Sequence, residues 1–225
     1  MIIGLCGAAR SGKDAFASYL ACECLAYTHT FIQIAGPLKK YLQDLFDWTS
    51  DHTDDYLKDV PDPRYPIQCP TCLGTGKVPS NGQTNCPLCG GEGTVGLTPR
   101  HAMQQLGGEF AQSTSPNIYA IRAARKAKEA MCAARKEKGG GLALITDCRY
   151  LHDIKAIKAV GGVIIEVSRP KDLISTKVLS HASETARLQP EFQALVDIHI
   201  NNDGTLNELR EKAWKTISNL EAKGS

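Results

Sequence analysis

Met1-Ile2-Ile3-Gly4-Leu5-Cys6-Gly7-Ala8-Ala9-Arg10-Ser11-Gly12-Lys13-Asp14-Ala15-Phe16 is the stretch whose reading decides the fold. Met1–Cys6 is a short, apolar run closed by a glycine, which reads as a strand buried on both faces. From Lys13 to Ala26 the spacing changes, with Phe16, Tyr19, Leu20 and Leu25 recurring at helical intervals. Between them, Gly7–Asp14 spells G-x-x-x-x-G-K followed by Asp. Strand, glycine loop and helix in that order form the context in which this spacing cradles phosphate. The glycines let the backbone curl so that successive N–H groups face an anion. The helix N-terminus adds the positive end of its dipole, and Lys13 reaches the outer phosphate oxygens. Gly7, Ala8, Ala9, Arg10, Ser11, Gly12, Lys13 and Asp14 are therefore candidate nucleotide ligands. Asp14 stands where a Ser or Thr hydroxyl usually meets Mg²⁺, and a carboxylate there can hold the ion directly or through water.

Working outward, Leu142–Thr146 is a strong strand ending at Asp147. An Asp at the carboxyl end of a buried strand can hold the water shell of Mg²⁺ beside the loop, or cap the helix that follows. Arg149 has two readings, a phosphate partner or a structural ion pair. Further strands are expected at Phe31–Ala35, Val163–Ser168 and Val196–Ile200. Helices are expected at Pro37–Trp48, Pro99–Gln112, Asn117–Lys138, Leu151–Val160 and Thr205–Ala222. Thr49–Gln68 reads as an exposed connection and Arg169–Pro190 as a lid. Strands alternating with helices imply an α/β fold with a mostly parallel sheet covered on both faces.

Cys69–Val95 cannot build an apolar core. Cys69-Pro70-Thr71-Cys72-Leu73-Gly74-Thr75-Gly76 is echoed by Cys86-Pro87-Leu88-Cys89-Gly90-Gly91-Glu92-Gly93, each C-x-x-C-x-G-x-G, with 13 residues between the pairs. Two such knuckles bring four thiolates to tetrahedral geometry, which suits structural Zn²⁺ on Cys69, Cys72, Cys86 and Cys89. The pattern is similar to one half of the zinc region of the DnaJ chaperones. A zinc-knuckle insert at 66–97 within a phosphate-loop domain spanning 1–225 is the domain plan this implies. Cys6, Cys22, Cys24, Cys132 and Cys148 make no second metal pattern and read as core or near-core residues.

Composition sets outer limits. The chain has 225 residues, 42% of them hydrophobic and 22% charged, with a net charge of +2. That suits one ordinary domain and argues against a disordered or fibrous chain. The first apolar run is too short for a membrane span and lacks the basic start of a signal peptide. Nine cysteines without such a signal fit a reducing compartment. Only Asn117–Lys138 is markedly basic, with a net charge of +5.

Several segments taken together resemble the deoxynucleoside monophosphate kinases of bacteriophages, a branch of the P-loop nucleoside monophosphate kinases. They are Gly7–Asp14, Ala35–Lys39, Pro99-Arg100-His101-Ala102-Met103-Gln104-Gln105-Leu106-Gly107, Asp147-Cys148-Arg149, Gly161–Ile164 with Arg169-Pro170, His181-Ala182-Ser183-Glu184, and Asn202-Asp203-Gly204-Thr205-Leu206. The order is the family's, and the span covers nearly the whole chain outside the cysteine insert. Where the family often shows Phe-Pro-Asn-Glu after Asp-x-Arg, this chain has Tyr150-Leu151-His152-Asp153.

The resemblance implies a three-layer P-loop fold and ATP- and Mg²⁺-dependent phosphoryl transfer to a deoxynucleotide. Lys13, Asp147, Arg149 and Arg169 would be catalytic. Gly7–Asp14 with Asn202 and Asp203 would bind ATP, and Asp14 and Asp147 would hold Mg²⁺. Arg100, Gln104, His181 and Glu184 would contact the acceptor. It also implies a phage-encoded enzyme of the host cytoplasm, with a nucleotide partner and no membrane; the oligomeric state stays open between monomer and homodimer.

Two acceptors fit. One is a free deoxynucleoside monophosphate, already an anion that needs no general base. The other is a hydroxymethyl group on a base within DNA, such as 5-hydroxymethyluracil, which would draw on a carboxylate among Asp14, Asp147 and Asp153 and make DNA a partner. A nucleotide-dependent binding protein without acceptor chemistry is a third reading.

Overall fold

The computed structural model describes residues 1–24, 28–54, 56–78, 84–115, 117–138, 140–170 and 186–224. The chain divides into two compact units, Met1–Ala35 with Asn117–Ser225, and Gly36–Pro116.

The first unit is built on β1 (Ile2–Cys6), β2 (Thr28–Ile32), β5 (Gly141–Cys148), β6 (Val163–Ser168) and β7 (Ile198–Asn201). They form a parallel sheet in the order β2-β5-β1-β6-β7. Side chains alternate across it, as the strand period of two requires. On one face Ile3, Leu5, Leu142, Leu144, Ile165 and Val167 pack under α1 (Lys13–Glu23) and the last helix, α9 (Leu206–Gly224), through Phe16, Leu20, Leu209, Ala213 and Ile217. On the other, Ile2, Cys6, Ala143, Ile145 and Ile164 pack under α6 (Ile118–Lys138) and α7 (Leu151–Ala159), through Ala123, Ala127, Ile154 and Ile157, with Phe192 of the short α8 (Pro190–Gln193). This is the three-layer α/β arrangement expected. Each face removes fully buried side chains from water at about 1.5–3 kcal/mol apiece.

The expected elements shift by a few residues at their ends. The second strand runs Thr28–Ile32 rather than Phe31–Ala35, and β5 extends through Asp147 to Cys148. Two corrections concern cysteines: Cys22 and Cys132 are exposed, not near-core. Cys6 and Cys148 are buried as expected; burial pushes the Cys6 thiol up to about 12 and the Cys148 thiol well above its usual range. Both stay protonated, as inert core thiols do.

The second unit holds α2 (Gly36–Phe46), α3 (Ser50–Asp54), a 3₁₀ turn (Tyr56–Asp59), the antiparallel pair β3 (Asp62–Gln68) and β4 (Thr94–Leu97), α4 (Pro99–Gln104), a π-helical turn (Gln105–Phe110) and α5 (Ala111–Thr114). The stretch Thr49–Gln68 stays largely exposed, as expected, but it is folded into short elements rather than being a bare connection. Trp48 and Thr53 are buried. The Trp48 indole stacks on Phe46 (centroids 4.5 Å apart) and donates its N–H to Asp62 at 2.8 Å. The aromatic residues around 46–65 supply the apolar contacts that the Asp- and Pro-rich composition hid. The single helix expected at Pro99–Gln112 is broken by the π-helical turn at Gly107-Gly108, where helix propensity is lowest. Among the described residues no helix is long and apolar enough to cross a membrane.

Candidate active site and metal centre

The glycine loop leaves β1 and enters α1. Arg10 takes φ 64° and Gly12 φ 92°, so the backbone reverses twice within a few residues. Ser11 N–H donates to the Ala8 carbonyl at 3.1 Å and closes the turn. Lys13 opens α1, its side chain only 14% exposed and its Nζ 3.9 Å from Oδ2 of Asp14, which stands out in solvent. The exposed Asp14 carboxylate is free to meet a hydrated cation at the loop rim.

The loop is fixed from behind. Asn202, buried at the end of β7, donates from Nδ2 to the Ser11 carbonyl at 2.8 Å, and its own N–H donates to Ser168 at 2.7 Å. A Cβ on Gly12 would lie 2.3 Å from that same Nδ2. Gly12 is therefore required twice, by its positive φ and by the closeness of Asn202. Asn202 is a residue expected beside ATP, and its amide braces the loop itself. Asp203, exposed, pairs with Lys212 at 3.1 Å, and that hydrogen bond holds its carboxyl below the usual range.

Asp147 comes at the end of β5, the strand beside β1. Its Oδ1 accepts the Ile34 N–H at 2.6 Å and its Oδ2 the Ala35 N–H at 3.0 Å, tying down the exit of β2. A carboxylate offers about four lone-pair sites, so two remain for a water-borne cation. The cap of α7 is not Asp147 but Asp153, whose Oδ2 accepts the N–H groups of Arg149 and Tyr150 at 2.9 Å each. Burial pushes the Asp153 carboxyl up, against those two hydrogen bonds. The Arg149 side chain is exposed. Arg169 follows β6, and its buried Nε finds no hydrogen-bond partner among the described residues. His181 and Glu184 lie outside the described residues.

One group was missed by sequence reasoning. Glu166, buried in β6, receives Arg187 Nη1 at 3.2 Å, Gln193 Nε2 at 3.2 Å and His199 Nδ1 at 3.2 Å. A lone acid inside the apolar run Val163–Ser168 was the available signal. Charge is rarely buried without partners.

In the second unit, Arg100 opens α4 and grips Asp59 through Nε and, at 2.9 Å, through Nη2. That hydrogen bond holds the Asp59 carboxyl below its usual range. Gln104 closes the same helix.

The four cysteines of the insert converge. Their sulfurs all lie within 4.8 Å of one another, with Cys69–Cys86 at 3.8 Å and Cys72–Cys89 at 3.7 Å. A tetrahedron with Zn–S bonds of about 2.3 Å has edges of about 3.8 Å. Gly76 N–H points at Cys72 Sγ and Gly93 N–H at Cys89 Sγ, both 3.3 Å, as donors to thiolates. The knuckles answer each other: Cys86 N–H donates to the Gly76 carbonyl at 2.9 Å and Cys69 N–H to the Gly93 carbonyl at 2.8 Å. The donor set thus fits a closed, four-sulfur metal site.

Comparison with known proteins follows from this geometry. A sequence profile described as deoxynucleotide monophosphate kinase matches residues 95–213, just over half of the chain. No curated protein matches significantly. Among solved structures, the chain is similar to shikimate kinase from Aquifex aeolicus at 11% identity and TM-score 0.46, covering 100% of both chains. It is similar to dephospho-CoA kinase from Campylobacter jejuni at 14% identity and TM-score 0.44, covering 100% of this chain and 98% of that one. With a sugar kinase from Janibacter the values are 15% and 0.40, covering 96% and 94%. The matched profile begins just beyond the second cysteine knuckle and takes in Arg100, Asp147, Arg149 and Asn202. By that match the chain belongs to the deoxynucleotide monophosphate kinase family.

Proposed function

We propose that this nucleotide kinase moves the γ-phosphoryl group of ATP to a free deoxynucleoside monophosphate, making diphosphates for phage DNA synthesis in the host cytoplasm. The observation that carries the reading is the loop: Gly7–Lys13 on β1, locked by Asn202, beside a carboxylate at the end of the neighbouring strand β5.

Phosphoryl transfer asks a protein for position and charge neutralisation rather than covalent chemistry. The N–H groups of the loop and the start of α1 bind the β- and γ-phosphates, and Lys13 spreads its charge over them. Asp147 and the exposed Asp14 are the residues that would hold the waters of a bound Mg²⁺, which would supply further neutralisation of phosphate charge. Arg149 and Arg169 supply further positive charge. The acceptor phosphate oxygen attacks as an anion, so no residue need remove a proton. Arg100 and Gln104 are assigned to the acceptor from their motif alone. In the segment 66–97, Cys69, Cys72, Cys86 and Cys89 would hold a structural Zn²⁺ that ties the two knuckles together.

The test is a transfer assay with γ-labelled ATP and Mg²⁺. Free deoxynucleoside monophosphates, 5-hydroxymethyl-dUMP among them, are offered beside duplex DNA with and without 5-hydroxymethyluracil. Label in diphosphates is the expected result. Label confined to modified DNA would replace this reading with that of a DNA-base kinase.

A further inference from the structure

The sheet contains one place where the chain reverses its winding. The helix after β1 packs on one face, through Phe16 and Leu20 against Ile3 and Leu5. The helix after β5 packs on the other, through Ile154 and Ile157 against Ile2 and Ile145. Because β1 and β5 are neighbours, their helices diverge at the carboxyl ends, the arrangement that forms a crevice in open α/β sheets. In open α/β sheets this crevice is where ligands bind. On the α1 side lies the phosphate loop. On the α7 side stand Tyr150, immediately before the helix, and His152 in its first turn.

These two rings are stacked, with centroids 5.3 Å apart and planes 12° from parallel. Both are open to solvent: Tyr150 is 37% exposed, and so is the His152 side chain. Their backbone is held rigidly, since Asp153 accepts the N–H groups of Arg149 and Tyr150 at 2.9 Å, and Leu151 between them packs against the core. An exposed, pre-stacked ring pair beside Arg149 is a flat apolar surface with a cation next to it. A nucleobase carrying a phosphate has the complementary shape and charge, because every base offers a π-face.

We propose that Tyr150 and His152 form the stacking platform for the acceptor's base. The assignment rests on the kinase reading above and adds the acceptor's base subsite to it. Acceptor rather than ATP follows from the layout: the loop that takes the donor phosphates leads into α1 on one face, whereas the platform belongs to the helix on the opposite face.

The experiment compares wild type with Tyr150→Ala, Tyr150→Phe and His152→Ala. It measures steady-state transfer and, separately, binding of labelled deoxynucleoside monophosphates by equilibrium dialysis. The cap on α7 uses backbone N–H groups, so the variants keep it. Tyr150→Ala should raise acceptor KM and Kd about tenfold, leaving ATP KM and kcat near wild type, and Tyr150→Phe should restore both. The increase should be larger for purines, which stack over more area.

Acceptor KM within about twofold of wild type in both alanine variants, with transfer intact, overturns the platform and leaves the kinase standing. Equal rises for ATP and acceptor also overturn it. A wild-type protein that neither binds nor phosphorylates any deoxynucleoside monophosphate overturns the kinase reading together with the platform.

Discussion

The phosphate loop and the cysteine knuckles are made from the same part, a glycine-rich turn whose backbone N–H groups aim at negative charge, yet they are stabilised in opposite ways. The loop stands on two apolar layers, with Phe16, Leu20, Ile145 and Ile157 fully buried beneath it. It is buttressed by one buried amide, Asn202, and spends its Ser11 N–H on closing its own turn. The knuckles aim theirs inward, at Cys72 and Cys89. Their buried cluster is the four cysteines themselves, with Val95 the one hydrophobic packed against it among the described residues. A turn that a core supports can wait for its anion. A turn without a core takes its shape, on the proposed zinc reading, from its own thiolates and their metal.

Removing the metal should therefore give the largest effect. In zinc-finger peptides structural Zn²⁺ supplies about 10–16 kcal/mol of apparent folding energy. Chelation, or Cys72→Ser, should make the Cys69–Gly93 segment the first site of limited proteolysis, with zinc content falling from about one per chain. Binding of ATP should change by less than about twofold if the loop draws its order from the sheet alone. Protease resistance that survives complete metal removal would break the contrast.

The converse experiment strikes the loop. Lys13→Ala removes a charge aimed at the transferring group and should lower kcat by about 10³-fold, while zinc content and melting temperature stay near wild type. A smaller loss is expected behind the loop. Asn202→Ala deletes the bond to Ser11 and leaves a buried carbonyl unpaired, a cost of about 1–3 kcal/mol. If that bond shapes the loop, ATP KM should rise and kcat fall together. If Asn202 only supports β7, the melting temperature alone should drop.

How far the sequence disclosed these regions follows from range. Gly7–Lys13 and the paired C-x-x-C motifs are local: spacing alone carries the geometry, and the strands and helices around the loop follow from short apolar periods. The layers were legible on the same terms. What stayed hidden depends on long-range pairing. Nothing near Asn202 announces that its amide reaches Ser11, 191 residues away. A capping role was open to Asp147, and only the folded chain shows that its carboxylate ties β2 while Asp153 receives the N–H groups at the start of α7. The Asp- and Pro-rich residues after Thr49 hid an aromatic cluster because its members, Phe46, Trp48 and Tyr65, are scattered through polar sequence.

That cluster gives the finest test of the contrast, since it asks what besides metal holds the second unit. Asp62 is buried, receives the Trp48 indole at 2.8 Å and is forked by Arg64, with Nη2 at 2.7 Å. The Arg64 hydrogen bonds hold its carboxyl well below the usual carboxylate range, against the opposing effect of burial. An acid whose folded pKa is depressed contributes stability above its unfolded pKa, about 3.9, and that contribution drains away as pH falls from there through the folded value. Asp62→Asn should cost about 2 kcal/mol at neutral pH, the worth of a charge-assisted hydrogen bond. It should also flatten the stability profile below about pH 4. Trp48 emission, read in a Trp214→Phe background, follows this site directly. Both proteins share every other group, so the difference between the two curves isolates Asp62. Parallel curves would mean that the ion pair contributes nothing and that the metal alone holds the unit; converging curves would mean that the aromatic cluster and its buried carboxylate share that task.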